Sequence, residues 1–454
     1  MSKALIIAEK PSVASDLARA LGGFKKVDDY FENERYVISS AVGHLVELCL
    51  PTELDVKRGK WSFANLPIIP DEFELRPIDK TKARFNLLKR LMKMQDVDLL
   101  INACDAGREG ELIFRYLLKL SGVKKPVQRL WLQSMTTESI RSAFDHLRSD
   151  EEMIPLAQAA VCRSESDWLV GINGTRAMTA FNNKTGGFQL TPVGRVQTPT
   201  LAILTEREDK IHLFKPRAYF EIFADFEVKA GNYRGRWFRE DFAKDGDEDA
   251  RAERIWEKET ADEIKGRCLG KTGIANEERK PTTQAPPLLY DLTSLQRDAN
   301  GRGFSAKRTL QIAQQLYERF KVVTYPRTDS RYLPEDYLNT VKATLSQIEN
   351  PHARKALENN WVKPSKRIFN NAKISDHFAI VPTGTAPHGL DEWQQKVYDM
   401  IVRRFVSVFF PAAQFEVTTR ITRVDKDAFK TEGKIIKDPG WLAVYGREAT
   451  IEAA

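Results

Sequence analysis

Cysteine and histidine are scarce in this chain, and their spacing suits neither a disulfide nor a zinc site. The 454 residues include four cysteines and six histidines. Cys49, Cys104, Cys162 and Cys268 lack the paired spacing of a zinc site or of a disulfide framework. The sequence therefore predicts neither structural zinc nor disulfide bonds.

Long apolar runs are absent as well. No stretch approaches the roughly 20 apolar residues that a membrane-spanning helix needs. The N-terminal apolar run is too short for a signal peptide. The chain also contains no internal repeat and no low-complexity tract. We therefore expect a cytoplasmic protein that has no membrane partner.

Charge of one sign is only slightly in excess. Lysine and arginine number 70 against 63 aspartates and glutamates, which gives a formal net charge of +7. Such a balance suits a polyanionic partner such as nucleic acid, although many basic proteins bind none. A hydrophobic content of 42% suffices for several cores, and the length suggests about three domains.

Two segments near the N-terminus have the pattern of an α/β sheet. Residues 4–8 predict a buried strand, and the helix that follows is predicted over 12–22. A second unit has a helix over 83–94 and an apolar strand over 98–103. Glu9 and Lys10 follow the first strand. The second strand leads into the loop Cys104-Asp-Ala-Gly-Arg-Glu-Gly-Glu111 and then an apolar helix over 112–120.

Acidic residues at these two strand ends predict a magnesium site formed by Glu9, Asp105 and Glu109. Open α/β sheets bind their ligands at the carboxyl ends of strands. Mg²⁺ prefers oxygen ligands and is held by few carboxylates. The alternative is that these acids cap a helix N-terminus, where carboxylates are favoured. For Glu111 this alternative is the stronger one, whereas Glu9 has no capping duty directly after a strand.

A third feature lies more than two hundred positions downstream, in Tyr325-Pro-Arg-Thr-Asp-Ser-Arg331. Helical spacing over 305–320 is followed by a β-branched run over 321–325, so we expect Tyr325 where a short strand enters a turn. A phenol that attacks a phosphodiester forms a covalent phosphotyrosine, and Arg327 is close enough to stabilise the phosphate. Taken alone, the motif is more often a packing tyrosine at a strand end.

Together the motifs resemble those of the type IA DNA topoisomerases, most closely a branch of bacterial and plasmid-borne topoisomerase III proteins. The resemblance runs over essentially all 454 residues. Besides the Asp105 loop and the Tyr325 motif, it rests on Ala8-Glu-Lys-Pro-Ser12, on Arg163 with Asp167-Trp-Leu-Val-Gly171, on Val193-Gly-Arg-Val-Gln-Thr-Pro199 and on Ser375-Asp-His-Phe-Ala-Ile-Val-Pro382.

The resemblance implies a role for each matching residue. Tyr325 is the implied nucleophile and Arg327 its companion, and His377 is brought to the same site. Lys10 is expected to stabilise charge, and Glu9 to protonate the leaving 3′ oxygen. The residues expected to bind single-stranded DNA, with Trp168 as a stacking platform, are Arg163, Asp167, Trp168, Arg195, Gln197 and Thr198.

The implied fold is multidomain, α/β and α+β, with a toprim domain plus helical and β-arch domains that form a torus. We expect the toprim domain over 1–150 and the first part of a helical DNA-gripping domain over 151–215. Alternating residues near 219–227 and 414–422 predict that 216–280 and 413–454 pair in a β-rich arch or hinge. The mainly helical segment 281–412 carries Tyr325.

Two departures from the family pattern qualify this interpretation. Many relatives have Asp-x-Asp-x-Glu in the acidic motif, whereas Gly107 occupies the second position here. Family members also continue past the segment resembling Gly440-Trp-Leu-Ala-Val-Tyr445, so the chain is expected to represent a family member shortened at its C-terminus. Because Gly107 replaces one acidic residue of the motif, the number of bound metal ions is left open.

The expected function is ATP-independent cleavage of one DNA strand, strand passage and religation, with Mg²⁺ as cofactor. Such an enzyme relaxes negative supercoils and decatenates DNA, as a monomer at the bacterial nucleoid, with a helicase or recombination proteins as partners. A primase or toprim nuclease is one alternative, since it shares the acidic residues without needing Tyr325. A non-catalytic remnant that binds single-stranded DNA is another.

Overall fold

The computed structural model describes residues 2–51, 61–132, 135–183, 189–244 and 246–446. Its strands are β1 Lys3–Ala8, β2 Lys25–Val27, β3 Tyr30–Glu32, β4 Tyr36–Ser40, β5 Val46–Leu48, β6 Leu75–Pro77, β7 Val97–Ala103, β8 Val127–Arg129, β9 Arg148–Ser149, β10 Phe223–Val228, β11 Gly231–Phe238, β12 Ile274–Gln284, β13 Ala413–Val424 and β14 Asp427–Asp438. Its α-helices are α1 Pro11–Leu21, α2 Lys82–Met92, α3 Arg108–Ser121, α4 Thr137–Asp145, α5 Asp150–Asn182, α6 Gln197–His212, α7 Lys258–Cys268, α8 Leu292–Asn300, α9 Ala306–Glu318, α10 Leu338–Gln347, α11 Pro351–Glu358 and α12 Glu392–Ser407.

These elements form two compact units. The first contains Met1–Lys210, Tyr290–Val341 and Pro364–Ile380, and the second contains Ile211–Leu289, Lys342–Lys363 and Val381–Ala454. The segments that carry Tyr325 and His377 therefore belong to the same unit as the N-terminal sheet. The finer division into four domains stays a prediction.

The first unit is built on a seven-stranded sheet with the order β2-β3-β4-β1-β7-β8-β9. The central strand β1 runs parallel to both β4 and β7. Alternate residues of β1 enter two separate cores, because successive side chains of a strand point to opposite faces. Leu5 and Ile7 pack with α2 and α3, whereas Ala4 and Ile6 pack with α1 and α4. Helices thus cover both faces of the sheet, which is the predicted α/β arrangement.

Two local predictions in this unit are wrong. Helix α3 begins at Arg108 rather than at Leu112, so Glu109 and Glu111 lie in its first turn and not in a loop. The polar first turn lacks the apolar periodicity from which the start was predicted. Residues 321–325 form no strand beyond a single bridge residue, Val323. Lys321 has a φ of 58°, which breaks the extended course of the backbone.

The second unit contains a five-stranded sheet with the order β10-β11-β14-β13-β12. Strand β14 pairs with β11 on one side and β13 on the other, so distant parts of the sequence join one antiparallel sheet. This is the pairing that the alternating sequence predicted. The last residues of the predicted β-rich segment, 447–454, lie outside the described residues.

Helix α5 is the longest described helix, and it contacts α3 and the strands β8 and β9 of the N-terminal sheet. A capping box formed by Ser149 and Glu152 fixes its start, with each side chain bonded to the other residue's backbone N–H. Pro155 lies in its second turn. Along the described ranges, no helix combines the length and the apolar character needed to cross a bilayer.

Candidate active site

The site is built on the carboxyl ends of the neighbouring strands β1 and β7. Ala8 pairs with Ala103 at the end of the parallel ladder. The residues that follow are consequently close, and the backbone N–H of Asp105 donates to Glu9 Oε2 at 3.3 Å. The two strand ends meet as the sequence predicted.

Lys10 joins the two carboxylates. Its Nζ donates to Asp105 Oδ2 at 2.8 Å and lies 3.7 Å from Glu9 Oε1. The Glu9 and Asp105 side chains are 12% and 17% exposed, so water screens these contacts weakly. The ion pair between Lys10 and Asp105 is therefore stronger than a surface pair of the same length.

The Tyr325 ring lies directly against this group. Lys10 Nζ is 4.4 Å from the centre of the phenol ring. The ring of His377 lies at a centroid distance of 4.4 Å from it, and His377 Nε2 is 3.3 Å from Asp105 Oδ2. Five residues predicted from four distant parts of the sequence thus meet at one point.

Burial and charge push the pKa values of the two carboxylates in opposite directions. Burial raises the pKa of Glu9, and the neighbouring charge of Asp105 raises it further. Burial also acts to raise the pKa of Asp105. A hydrogen bond from His377 together with the charge and the hydrogen bond of Lys10 outweighs it and lowers that pKa to about 2. The surroundings of Glu9, after β1, thus favour a protonated carboxyl group, whereas those of Asp105, after β7, favour an ionised one.

The backbone of the Asp105 loop is held by a buried arginine. Arg129 is 1% exposed, and its guanidinium donates to the carbonyl oxygens of Asn102 and Cys104 at 2.8 Å and of Asp105 at 2.7 Å. Its Nε lies 3.4 Å from Glu111 Oε2. Glu111, which is 1% exposed and also accepts from Arg115, is therefore a structural partner of the loop rather than a ligand-binding residue.

Arg327 follows Tyr325 by two residues and is exposed. The side-chain amide of Gln314 is assigned with its oxygen facing Arg327, because the donors around it require an acceptor there. In this orientation the oxygen accepts from Arg327 Nη2 at 3.0 Å and from Arg327 Nε at 3.1 Å. Gln314 belongs to α9, the helix that precedes the tyrosine. The guanidinium is thus oriented by a neutral partner, which leaves its charge available for a phosphate.

The predicted metal ligands are brought together in part. Glu9 and Asp105 are neighbours, whereas the half-exposed Glu109 pairs with Nε2 of His44. In the ranges that the structure describes, no three aspartate, glutamate, histidine or cysteine side chains converge so as to hold a metal ion. Two oxygen ligands at a strand edge nevertheless suit Mg²⁺, which keeps several of its waters in proteins.

Comparison with known proteins gives this geometry its context. Residues 4–135 match the Toprim domain, a class that generally binds Mg²⁺, and residues 151–454 match a family described as DNA topoisomerase. The chain belongs to the DNA topoisomerase family. The resemblance to type IA topoisomerases drawn from the motifs is thereby confirmed.

Individual family members agree with this assignment. The DNA topoisomerase 3 of Bacillus subtilis is 40% identical over 452 residues, and that of Bacillus licheniformis is 39% identical over 452 residues. Each alignment covers 98% of this chain and 60% of the relative. The chain therefore spans about three fifths of the length of these topoisomerases.

A solved topoisomerase shares the fold. The full-length topoisomerase I from Thermotoga maritima superposes with a TM-score of 0.63 at 22% identity, over 97% of this chain and 67% of that one. With the Toprim match, this confirms the predicted fold class of a toprim domain combined with a topoisomerase fold.

The residues predicted to grip DNA lie near one another on α5 and at the start of α6. Arg195 Nε donates to Asp167 Oδ1 at 2.6 Å, and Arg163 Nε is 3.9 Å from the other oxygen of that carboxylate. Thr198 Oγ1 accepts from the backbone N–H of Gly194, which fixes the turn before α6. Gln197 is the first residue of that helix and is exposed.

Trp168 departs from its predicted role in the topoisomerase. Its side chain is buried, its Nε1 donates to the Cys49 carbonyl oxygen at 2.9 Å, and its ring packs edge-on against Phe73. An indole whose faces are covered presents no platform to a base. The expectation that Trp168 stacks on DNA is therefore corrected: in this conformation it anchors α5 to the N-terminal domain.

Sequence reasoning missed three residues near the site. Arg129 was detectable as a charged residue inside an apolar run, a pattern that indicates a buried, paired charge. His44 follows β4, which lies beside β1 in the same sheet, so its strand-end position was a usable signal. Asp376, whose carboxylate lies beside Gly107 in the Asp105 loop, gave no signal of its own beyond its place next to His377.

Proposed function

We propose that this chain is an ATP-independent type IA DNA topoisomerase that cleaves one DNA strand through a 5′-phosphotyrosine at Tyr325. The observation that supports this most directly is the Tyr325 phenol lying against Lys10 and His377 beside two strand-end carboxylates. Membership of the DNA topoisomerase family supports the reaction class. A covalent phosphotyrosine conserves the energy of the broken phosphodiester, so no ATP is needed.

In the proposed cleavage step, the phenol oxygen of Tyr325 attacks phosphorus while the bond from phosphorus to the 3′ oxygen breaks. The phenol proton leaves towards the imidazole of His377. Protonated Glu9 gives its proton to the leaving 3′ oxygen. Its raised pKa supports this role, because a general acid must hold its proton near neutral pH. Religation is the reverse reaction.

Two cations are proposed to stabilise the phosphate during this step. Arg327 has a guanidinium that binds phosphate oxygens in a bidentate manner. Lys10 lies between the phenol ring and Asp105, where it can stabilise charge developing on the transferred group. Asp105 remains ionised and keeps both Lys10 and His377 in place.

Mg²⁺ is the proposed cofactor, with Glu9, Asp105 and Glu109 as its candidate ligands. When bound, it would supply positive charge that orients the DNA ends for religation. Asp105 would hold the ion together with Glu9, once the Glu9 proton has passed to the 3′ oxygen, and Glu109 would have to leave its His44 partner to join them. Asp105 offers an ionised oxygen without prior loss of a proton, as its lowered pKa indicates.

The proposed substrate is single-stranded or negatively supercoiled DNA, bound in part by Arg163, Asp167, Arg195, Gln197 and Thr198. Strand passage through the cleaved strand would relax supercoils and decatenate DNA. We further propose a monomer at the bacterial nucleoid, with a helicase or recombination proteins as partners. The proposal also includes the expected division into four domains that form a torus.

The test is a trapping assay with the full chain, end-labelled single-stranded DNA and Mg²⁺, quenched with denaturant. We expect a protein-linked DNA fragment that disappears in Tyr325→Phe. Tyr317→Phe is the matched control, because this ring contacts Tyr325 at a centroid distance of 5.3 Å. Burial raises the pKa of Tyr317, which makes it a poor nucleophile, so its variant should keep the adduct.

The same assay separates the alternatives. Cleavage that persists in Tyr325→Phe without a protein-linked fragment would favour a primase or nuclease. Binding without cleavage in the unmodified chain would favour a DNA-binding remnant, whose affinity should fall steeply with salt. Either result would overturn the proposed function.

A further inference from the structure

Gly107 leaves a gap that another part of the chain fills. A Cβ atom at this position would lie 1.9 Å from Oδ1 and 2.4 Å from Cγ of Asp376, far closer than nonbonded atoms approach. The three nearest atoms all belong to that carboxylate. The Asp376 carboxylate therefore occupies the volume that any side chain at position 107 would need.

The backbone itself does not require glycine here. Gly107 has φ −171° and ψ −177°, an extended conformation that any residue adopts. It is also the N-cap of α3, a position that favours side chains such as aspartate or serine over glycine in many helices. Space for Asp376 is thus the physical reason for a residue without a side chain. The carboxylate also lies at the positive end of the helix dipole.

The segment that carries the exposed residue Asp376 is bonded to the loop that carries Tyr325. The next residue is His377, whose carbonyl oxygen accepts from Thr328 Oγ1 at 2.8 Å. On the other side, Ser375 Oγ donates to Asp329 Oδ1 at 3.0 Å. The segment that carries Asp376 is thereby bonded to the residues that directly follow Tyr325-Pro-Arg327. A displacement of the Asp376 backbone would therefore move His377 directly and would reach the residues after Tyr325 through these two bonds.

We propose that Gly107 and Asp376 are a pair of positioning residues: the gap at Gly107 receives the Asp376 carboxylate, and this fit holds His377 against Asp105 and Tyr325 against Lys10. The pair touches no reacting atom and acts through His377 and Tyr325. The inference rests on the proposed function for its catalytic consequence. Its structural part, the dependence of the His377 position on the residue at 107, can be tested without DNA.

The experiment compares Gly107→Ala, Asp376→Ala and the double variant in the full chain. The single-turnover rate of adduct formation is measured on labelled single-stranded DNA. Gly107→Ala should lower the rate at least tenfold, because the new methyl group displaces the carboxylate. In the Asp376→Ala background the same change should cost less than twofold, because the obstructing atoms are gone. Gly266→Ala is the control, since a Cβ there meets nothing within 4 Å.

A second readout follows the position of His377 by NMR of its imidazole C–H groups, without DNA. The chain has six histidines, so the His377 signal can be assigned from His377→Gln. The neighbouring Tyr325 ring should displace this signal from that of an exposed histidine. Gly107→Ala should shift it back, Asp376→Ala should do the same because the positioning carboxylate is gone, and the double variant should resemble Asp376→Ala. Gly266→Ala should leave it unchanged.

Two results would overturn the inference. One is a Gly107→Ala variant with an unchanged rate and an unchanged His377 signal. The other is an equal loss from Gly107→Ala in both backgrounds, which would mean that the methyl group acts independently of Asp376. If the unmodified chain forms no Tyr325-dependent adduct, the proposed function fails, and the NMR comparison alone decides the inference.

Discussion

The strand-end site and the α5 segment both carry charged residues, but they hold them in different ways. At the strand ends, the Glu9 and Asp105 side chains are 12% and 17% exposed. On α5 the Asp167 side chain is 46% exposed, and its partner Arg195 is 40% exposed. Buried charges stay where their partners fix them, whereas exposed ion pairs are worth at most about 1 kcal/mol and exchange readily.

The difference separates two tasks. The strand-end residues are preorganised, which suits groups that must meet a reacting phosphate in one geometry. In the proposed function, Arg163 on α5 and Arg195 before α6 exchange their shared carboxylate partner for a DNA phosphate at little cost. Substitutions in the first region should therefore change the rate of chemistry, and substitutions in the second should change the affinity for DNA.

The largest effect is expected from Lys10→Met. The variant removes the cation that lies 4.4 Å from the Tyr325 ring and bonds to Asp105. Loss of one such stabilising group typically costs about 10²-fold or more in rate. The single-turnover rate of adduct formation at saturating DNA should fall accordingly, with little change in DNA affinity.

Lys26→Met is the matched control for charge, because Lys26 is an exposed residue of the same sheet. Its rate should stay within twofold of the unmodified chain. A rate for Lys10→Met close to that of Lys26→Met would contradict the assignment of Lys10 to the site.

The two strand-end carboxylates should respond oppositely to neutralisation. The pKa of Asp105 is lowered to about 2, so its ionised form contributes stability that is present above about pH 4 and lost as the pH falls towards 2. Asp105→Asn should therefore destabilise the chain at pH 7 by about 2 kcal/mol, and by progressively less at acid pH.

Glu9→Gln should have the opposite sign. Burial raises the pKa of Glu9 above its value in the unfolded chain, so folding carries a penalty that grows as the pH rises above the ordinary range of a glutamate and is absent below that range. The variant should be more resistant to urea at pH 7 and no more resistant at acid pH. Unfolding midpoints in urea from pH 3 to 7 check both expectations. If Asp105→Asn and Glu9→Gln changed the stability at pH 7 in the same direction, the opposite pKa shifts of Asp105 and Glu9 would be refuted.

A smaller effect, confined to binding, is expected from Arg195→Ala. Loss of one phosphate contact should weaken affinity for single-stranded DNA several-fold and reduce the salt dependence, by about 0.7 in the slope of log K against log salt. The adduct rate at saturating DNA should not change. Fluorescence anisotropy at several salt concentrations measures the slope. A lower rate at saturating DNA would instead assign Arg195 to the chemical step.

The sequence predicted those parts of the site that depend on local pattern and sheet geometry. Apolar runs located β1 and β7, and the rule for parallel sheets brought Glu9 beside Asp105. Neither rule predicts the position of Tyr325, because its contact with Lys10 joins residues more than 300 positions apart in the sequence. The resemblance to a family supplied that link.

Long-range packing also explains what was missed or wrong. The periodicity of α5 could not distinguish a buried Trp168 from an exposed one, because its bond partner Cys49 lies far away in sequence. Likewise, the carboxylate that fills the space beside Gly107 belongs to Asp376, 269 positions downstream by their numbers. A pattern of single residues contains no information on such a fit.

The smallest effect on DNA binding is expected from Trp168→Phe, although this residue lies beside the α5 arginines. Phenylalanine keeps an apolar ring in the buried position but cannot donate to the Cys49 carbonyl oxygen. A lost hydrogen bond of this kind costs about 1 kcal/mol of stability, whereas affinity for single-stranded DNA should stay within twofold. Urea unfolding and anisotropy measure the two quantities on the same preparation. A clear loss of affinity without a loss of stability would restore Trp168 as a stacking residue, and would show that α5 rearranges when it binds DNA.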